Sequence, residues 1–278
     1  GVQTCALPIF DTAEVYSSWV PGHTGGESET VIGDWLERSG KRDRVKIATK
    51  LGWHNGEAPG LLTRANILKA CDASLQRLKT DHIDLYQSHW EDLQTPIEET
   101  LSAFGELIAA GKVRAIGCSN FSAAHLQACL DVAARENLPR YESVQPAYNL
   151  VQREPFESEL KPIVERKGLG VISYFGLARG FLTGKYRSEA DLSKSVRGGG
   201  VKAFMTPKNL TILDQICAIS RQIESTPAAV SLAWIMAQPG ITAPIASATS
   251  LEQLHDLMAA ADLKLDAQAL AALDAASR

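Results

Sequence analysis

The sequence predicts an α/β fold: a (β/α)8 barrel short of its first strand and helix, occupying residues 10–278 as one domain. Three observations carry this. Short β-rich apolar runs alternate with longer amphipathic stretches from Ile9 to the C-terminus, the pattern of a parallel sheet covered by helices. The runs are continuously apolar, as strands buried on both faces are. No G-x-G-x-x-G follows the first run, so the open doubly wound sheet, which competes with the barrel, lacks its fingerprint. Seven runs are visible, one fewer than a closed barrel needs.

In order, the strands are IFDTA, VKIATK, IDLYQS, VRAIG, ESVQ, VISYF and APIAS. Between Thr63 and Leu78, apolar Ile67, Cys71, Leu75 and Leu78 step at helical spacing behind a Thr63 N-cap. TPIEETLSAFGELIAAGK is a second helix. Thr95 is its expected cap, Pro96 suits the first turn, Glu98 and Glu99 oppose the dipole, and Gly111 ends it. Its expected buried stripe is Ile97, Leu101, Phe104 and Ile108. The stretch from Arg179 to Thr206 is irregular, with Gly198–Gly200 expected in a mobile loop. At the catalytic end of a barrel such a stretch serves as a lid or cofactor clasp.

Bulk properties remove several function classes. The chain has 278 residues, 45% of them hydrophobic, enough to bury a large core. A net charge of −4 gives no basic face for nucleic acid or anionic lipid. No apolar run is long enough to span a bilayer. The five cysteines, Cys5, Cys71, Cys118, Cys129 and Cys217, show neither C-x-x-C nor zinc-ligand spacing, so they read as reduced thiols of a cytoplasmic protein without a metal site. The opening GVQTCALPI begins without Met, lacks the features of a targeting peptide, and resembles a translated sequencing adapter. Residues 1–9 are accordingly expected to be a foreign leader, and a barrel missing a strand is expected to be poorly soluble and weakly active.

Chemistry in a (β/α)8 barrel gathers at the carboxyl ends of the strands. Those positions hold Asp11 with Tyr16 just beyond, Lys50, His89, Ser119 with Asn120, Gln145, Tyr174 and Ser247. A tyrosine, with an ordinary pKa near 10, is a poor proton donor and base at neutrality. An ammonium beside it favours the phenolate, a carboxylate holds that ammonium in place, and a neutral imidazole can orient a carbonyl. Such a set suits protonation of an oxyanion as hydride adds to a carbonyl. None of these side chains carries hydride, so a nicotinamide is implied.

FDTAEVY, VKIATK, DLYQSHW, AIGCSNF, VQPAYN, SYFGLARGFLTGKY and PIASATS, in that order, resemble the aldo-keto reductases, and YSSWVPGHTGGESET is similar to their bacterial tas- and YajO-type branch. The resemblance runs from Ile9 to the C-terminus. It implies an NADPH-dependent oxidoreductase that reduces aldehydes or ketones to alcohols, with Tyr16 as general acid, Lys50 and Asp11 tuning it, and His89 positioning the small-molecule carbonyl. It further implies that Ser119, Asn120 and Gln145 bond the nicotinamide carboxamide and that Tyr174 stacks on the ring. Phe175, Gly176, Leu177 and the Leu182, Gly184 and Lys185 segment would cover the pyrophosphate. Ser247, Thr249, Gln253 and Asp256 would meet the adenosine end. Relatives carry a cation where Thr249 stands, which leaves NADH open beside NADPH. Arg179, where serine is common, would pair a phosphate or face solvent. Substrate selectivity is expected around Trp19, Trp53, Trp90 and residues 186–206, and oligomeric state is left open. The alternative is a non-catalytic, nicotinamide-binding sensor or regulatory subunit on the same fold.

Overall fold

A computed structural model describes residues 8–53, 61–194 and 198–278. The expected foreign leader falls mostly on residues 1–7, outside the described residues. Ile9 opens the first strand, and the Pro8 carbonyl accepts the Lys46 N–H at 2.8 Å.

The chain forms two compact units, Gly1–Val144 and Gln145–Arg278. The first carries β1 (Ile9–Asp11), α1 (Glu27–Ser39), β2 (Lys46–Leu51), α2 (Arg64–Leu78), β3 (Ile83–Ser88), α3 (Ile97–Ala109), β4 (Val113–Ser119) and α4 (Ala123–Glu136). The short β5 (Ser143–Gln145) spans the boundary. The second unit carries α5 (Lys161–Lys167), β6 (Gly170–Ser173), α6 (Pro207–Gln222), α7 (Pro227–Met236), β7 (Ala243–Pro244), α8 (Leu251–Asp262) and α9 (Ala267–Ser277).

Strand order equals chain order, β1 to β7, and β1–β2, β2–β3, β3–β4 and β6–β7 pair in parallel. A doubly wound sheet reverses its order at a switch point; no reversal occurs here. The wiring is that of an incomplete (β/α)8 chain, with seven strands among the described residues.

Register decides what each face of the first sheet carries. Asp11 lies opposite Ala48, Ala48 opposite Leu85, and Lys50 opposite Gln87, so Asp11, Lys50 and Gln87 share one side. Ile47 and Thr49 alternate to the other. There Thr49 Oγ1 donates to Glu29 Oε1 at 2.6 Å, and Arg77 Nε donates to Glu29 Oε2 at 2.6 Å, tying β2, α1 and α2 together through a fully buried carboxylate. Gly33 lets α1 approach α2: a Cβ there would lie 2.1 Å from the Arg77 carbonyl oxygen.

Two details of α3 differ from expectation. Thr95 gives its hydroxyl to Asp92 Oδ2 at 2.7 Å and its N–H to Asp92 Oδ1 at 3.1 Å, so an upstream carboxylate claims the expected cap. The buried face centres on Thr100, Leu101, Ala103, Phe104 and Leu107, with Ile97 and Ile108 at its margins. Gly111 ends the helix region at φ 73° as expected.

In the second unit, Val171, Phe181, Ile212, Ile216, Val230, Trp234 and Leu273 are fully buried. The 178–206 stretch contains 3-10 turns at Ala178–Thr183, Glu189–Lys194 and Gly198–Phe204; Gly198–Gly200, expected in a mobile loop, opens the last of these. Arg153 anchors α9, donating to Asp274 Oδ1 at 3.0 Å and Ser277 Oγ at 2.7 Å while its guanidinium lies 5.0 Å from the Trp234 ring.

Candidate active site

β1 stops at Asp11, but its ladder continues. Thr12 and Glu14 donate their N–H groups to the Ala48 and Lys50 carbonyls at 2.9 and 3.1 Å. A turn closed by Tyr16 N–H to the Ala13 carbonyl at 3.1 Å then folds the Tyr16 side chain back toward Lys50. Lys50 Nζ donates to Asp11 Oδ2 at 2.6 Å, to the Thr12 carbonyl at 2.8 Å and to Tyr16 Oη at 3.1 Å. The lysine side chain is 0% exposed and the Asp11 side chain 7%. A buried charge of this kind is tolerable only when paired and hydrogen-bonded, and here the pairing fixes the amine beside the phenol. Gln87 Nε2 contacts Asp11 Oδ1 at 3.4 Å, from the neighbouring position on the same face.

His89 follows β3 by one residue. Its N–H donates to the Leu51 carbonyl at 2.8 Å, which seats it beside the end of β2. Its ring meets the Tyr16 ring edge-on at 5.9 Å and the Trp53 ring at 4.8 Å. Burial, reinforced by the Lys50 charge, lowers its pKa to about 3, so the imidazole is neutral at physiological pH. Its buried Nδ1 has no hydrogen-bond partner among the described residues. Ser119, buried at the end of β4, and Asn120, with φ 55°, complete this unit's share of the expected residues. Asn120 Nδ2 donates to the His89 carbonyl at 3.0 Å and to Ser119 Oγ at 3.1 Å.

The second unit holds the rest. Gln145 is buried at the end of β5. Tyr174 donates its N–H to the Pro146 carbonyl at 2.9 Å, and its ring lies 4.8 Å from that of Phe175. Phe175, Ala178, Arg179 and Gly180 all have positive φ, from 46° to 97°, a strained run of the sort that collects at ligand sites. Gly176 leaves room for Ile235 and Leu232, each 3.0 Å from where its Cβ would be. Leu182 is fully buried. Gly184 ends the turn at φ 83°. Lys185 Nζ stands 5.0 Å above the Tyr186 ring. Arg179 is exposed, one of its two expected settings, with its guanidinium 5.0 Å from the Phe175 ring and against Gly200.

β7 is shorter than its apolar run, because β6 ends at Ser173 and the last rung is Ile245 N–H to the Ser173 carbonyl at 2.8 Å. Ser247 therefore lies exposed beyond the strand. Thr249 donates its N–H and Oγ1 to Gln253 Oε1 at 3.0 and 3.1 Å, and Ser250 caps α8, the helix that also holds Asp256.

The sequence profile described as the Aldo/keto reductase family matches residues 4–278. The chain belongs to this family. Aldo-keto reductase YhdN of Bacillus subtilis is 35% identical over 257 residues, covering 90% of this chain and 73% of that protein. Protein tas of Escherichia coli is 31% identical over 295 residues, covering 97% and 85%. A putative voltage-gated potassium channel subunit beta of Schizosaccharomyces pombe is 33% identical over 280 residues, covering 96% and 79%.

Four contributors to this aldo/keto reductase's first-unit cluster escape a reading by residue type. The Thr12 carbonyl on Lys50 Nζ is a backbone group with no sequence signature. Gln87 was legible in principle, two residues before His89 on the same strand face. Trp53, expected only near substrate selectivity, meets His89, and Glu14 meets Gly52, through the turn after β2, where the Gly52 φ of 79° is the clue.

Proposed function

We propose that the chain is a nicotinamide-dependent oxidoreductase that reduces aldehydes or ketones to alcohols, using NADPH, in the cytoplasm. One observation carries the reading. A single buried amine touches a carboxylate, a backbone carbonyl and the Tyr16 hydroxyl at 2.6, 2.8 and 3.1 Å, with a neutral histidine ring beside that phenol. This is the donor set that a developing alkoxide requires.

The residues present fit a nicotinamide. Ser119 and Asn120 place a hydroxyl and an amide at the end of β4, groups of the kind that bond a carboxamide. In the second unit the Gln145 amide, the Tyr174 ring, the strained 175–180 run with Lys185, and Ser247, Thr249, Gln253 and Asp256 are the groups assigned to the cofactor. A nicotinamide held there would supply the hydride that none of these side chains can carry. Tyr16 Oη holds the proton that passes to the carbonyl oxygen and takes it back in the reverse direction. Lys50, fixed by Asp11, stabilises the phenolate left behind. The neutral His89 ring orients the carbonyl oxygen without competing for the proton. Thr249 brings no charge to a 2′-phosphate, so discrimination against NADH should be modest.

The test is NADPH oxidation, followed by absorbance, with a panel of aldehydes and ketones. Turnover is expected in the parent, and Tyr16→Phe should lower kcat by at least about 100-fold, the scale of general acid catalysis. A panel with no turnover and a retained nicotinamide would favour the second reading, a non-catalytic sensor or regulatory subunit. The similarity to a potassium channel subunit beta supports that alternative.

A further inference from the structure

Glu14 stands between Asp11 and Tyr16 in the chain and grips both β2 and the residue just after it. Its backbone N–H donates to the Lys50 carbonyl at 3.1 Å, and its Oε1 accepts the Gly52 N–H at 2.9 Å. Between those contacts lies Leu51, whose carbonyl accepts the His89 N–H at 2.8 Å. Gly52 turns the chain at φ 79°, where a Cβ would come within 2.9 Å of Leu62 Cδ2, and so delivers Trp53 to the His89 ring at 4.8 Å. On its other side Glu14 is closed in by Gly25, where a Cβ would lie 2.8 Å from the Glu14 carbonyl oxygen. Burial raises the pKa of this carboxyl and the charge of Glu29 adds to the rise, while the Gly52 N–H and Arg77 oppose it. Placing a carboxyl there is therefore costly, and a mere spacer would not need one.

We infer that Glu14 is a positioning residue: its hydrogen bond to Gly52 locks the Tyr16 turn to the Lys50–Trp53 segment and so sets the gap between the Tyr16 phenol and the His89 ring. The inference rests on the proposed carbonyl reduction, in which both groups meet one oxygen atom. Glu14 itself touches neither.

The test compares Glu14→Ala with Glu14→Gln, whose side-chain amide keeps an oxygen for the Gly52 N–H. Glu14→Ala should lower kcat about 10- to 100-fold, the range expected when reacting groups drift by a fraction of an ångström to an ångström. KM for NADPH should change little, and Glu14→Gln should recover most of kcat. A second readout needs no turnover. In protein carrying 5-fluorotryptophan, the Trp53 fluorine resonance, assigned by its loss in Trp53→Phe, should shift in Glu14→Ala and return in Glu14→Gln. A parent-like kcat with an unmoved Trp53 signal in Glu14→Ala overturns the inference. So does a Gln variant as impaired as the Ala variant, or a kcat loss that merely tracks the folded fraction in thermal melts. If the parent turns over no carbonyl, the functional reading fails, and the fluorine signal still decides whether Glu14 holds the segment.

Discussion

Burial and the Lys50 charge both oppose a proton on His89, lowering its pKa from 6.5 to about 3. In the unfolded chain the same ring titrates near its ordinary value. Below about pH 6.5 the unfolded state therefore binds a proton that the folded state refuses, and stability falls as pH drops toward 3. The loss from this one residue reaches on the order of 2 kcal/mol by pH 5. Glu14 acts with the opposite sign: its raised pKa makes the folded state the readier proton acceptor as pH falls. The His89 contribution is thus isolated by comparison rather than by an absolute slope. Urea unfolding at pH 7 and pH 5 should show a smaller acid loss in His89→Gln than in the parent. An identical loss in both would mean the ring is not held neutral.

At the level of elements, the β2 strand is the hub of the first unit. Its one face presents Lys50 to Asp11 and Tyr16, and its other face docks Thr49 onto the Glu29–Arg77 pair. The close approach of α1 and α2 that makes this docking work depends on Gly33. Gly33→Ala would otherwise be a favourable exchange in a helix interior. Here the added methyl meets the backbone of α2, and a destabilisation of about 1–3 kcal/mol is expected from overpacking, measured as a lower urea midpoint with an unchanged m-value. The strands were legible because buried parallel strands are short β-rich runs, and each of the seven strands among the described residues falls on one of the runs read from the sequence. The Thr95 cap was not legible, because Asp92 outcompeted it for both the hydroxyl and the N–H. The buried face of α3 was legible to within one position: its stripe runs to Leu107 rather than Ile108.

Across the whole chain, sequence order predicted strand order, since a βα repeat with short connections leaves successive strands adjacent. The cluster of Asp11, Tyr16, Lys50 and His89 was legible for the same reason: each lies at or just past a strand end, and three of those strands pair directly. What could not be read was the part built from backbone, such as the Thr12 carbonyl, or from left-handed turns, such as the one that lays Arg179 over Phe175. Three buried thiols of the first unit share one property. Burial pushes Cys71 and Cys129 up to about 12, and Cys118 well above the ordinary thiol range. Alkylation at pH 8 mapped by mass spectrometry should leave these three unmodified until denaturant is added. Rapid labelling of any of them in native protein would contradict the packing described for α2, β4 and α4.

The three acceptors around Lys50 have a chemical consequence of their own. A primary amine condenses with an aldehyde only when its nitrogen can turn a lone pair toward the carbon, and an ε-amino group whose three hydrogens are directed at a carboxylate, a peptide oxygen and a phenol has none to turn. Reactive aldehydes could thus pass beside this lysine without forming an imine on it.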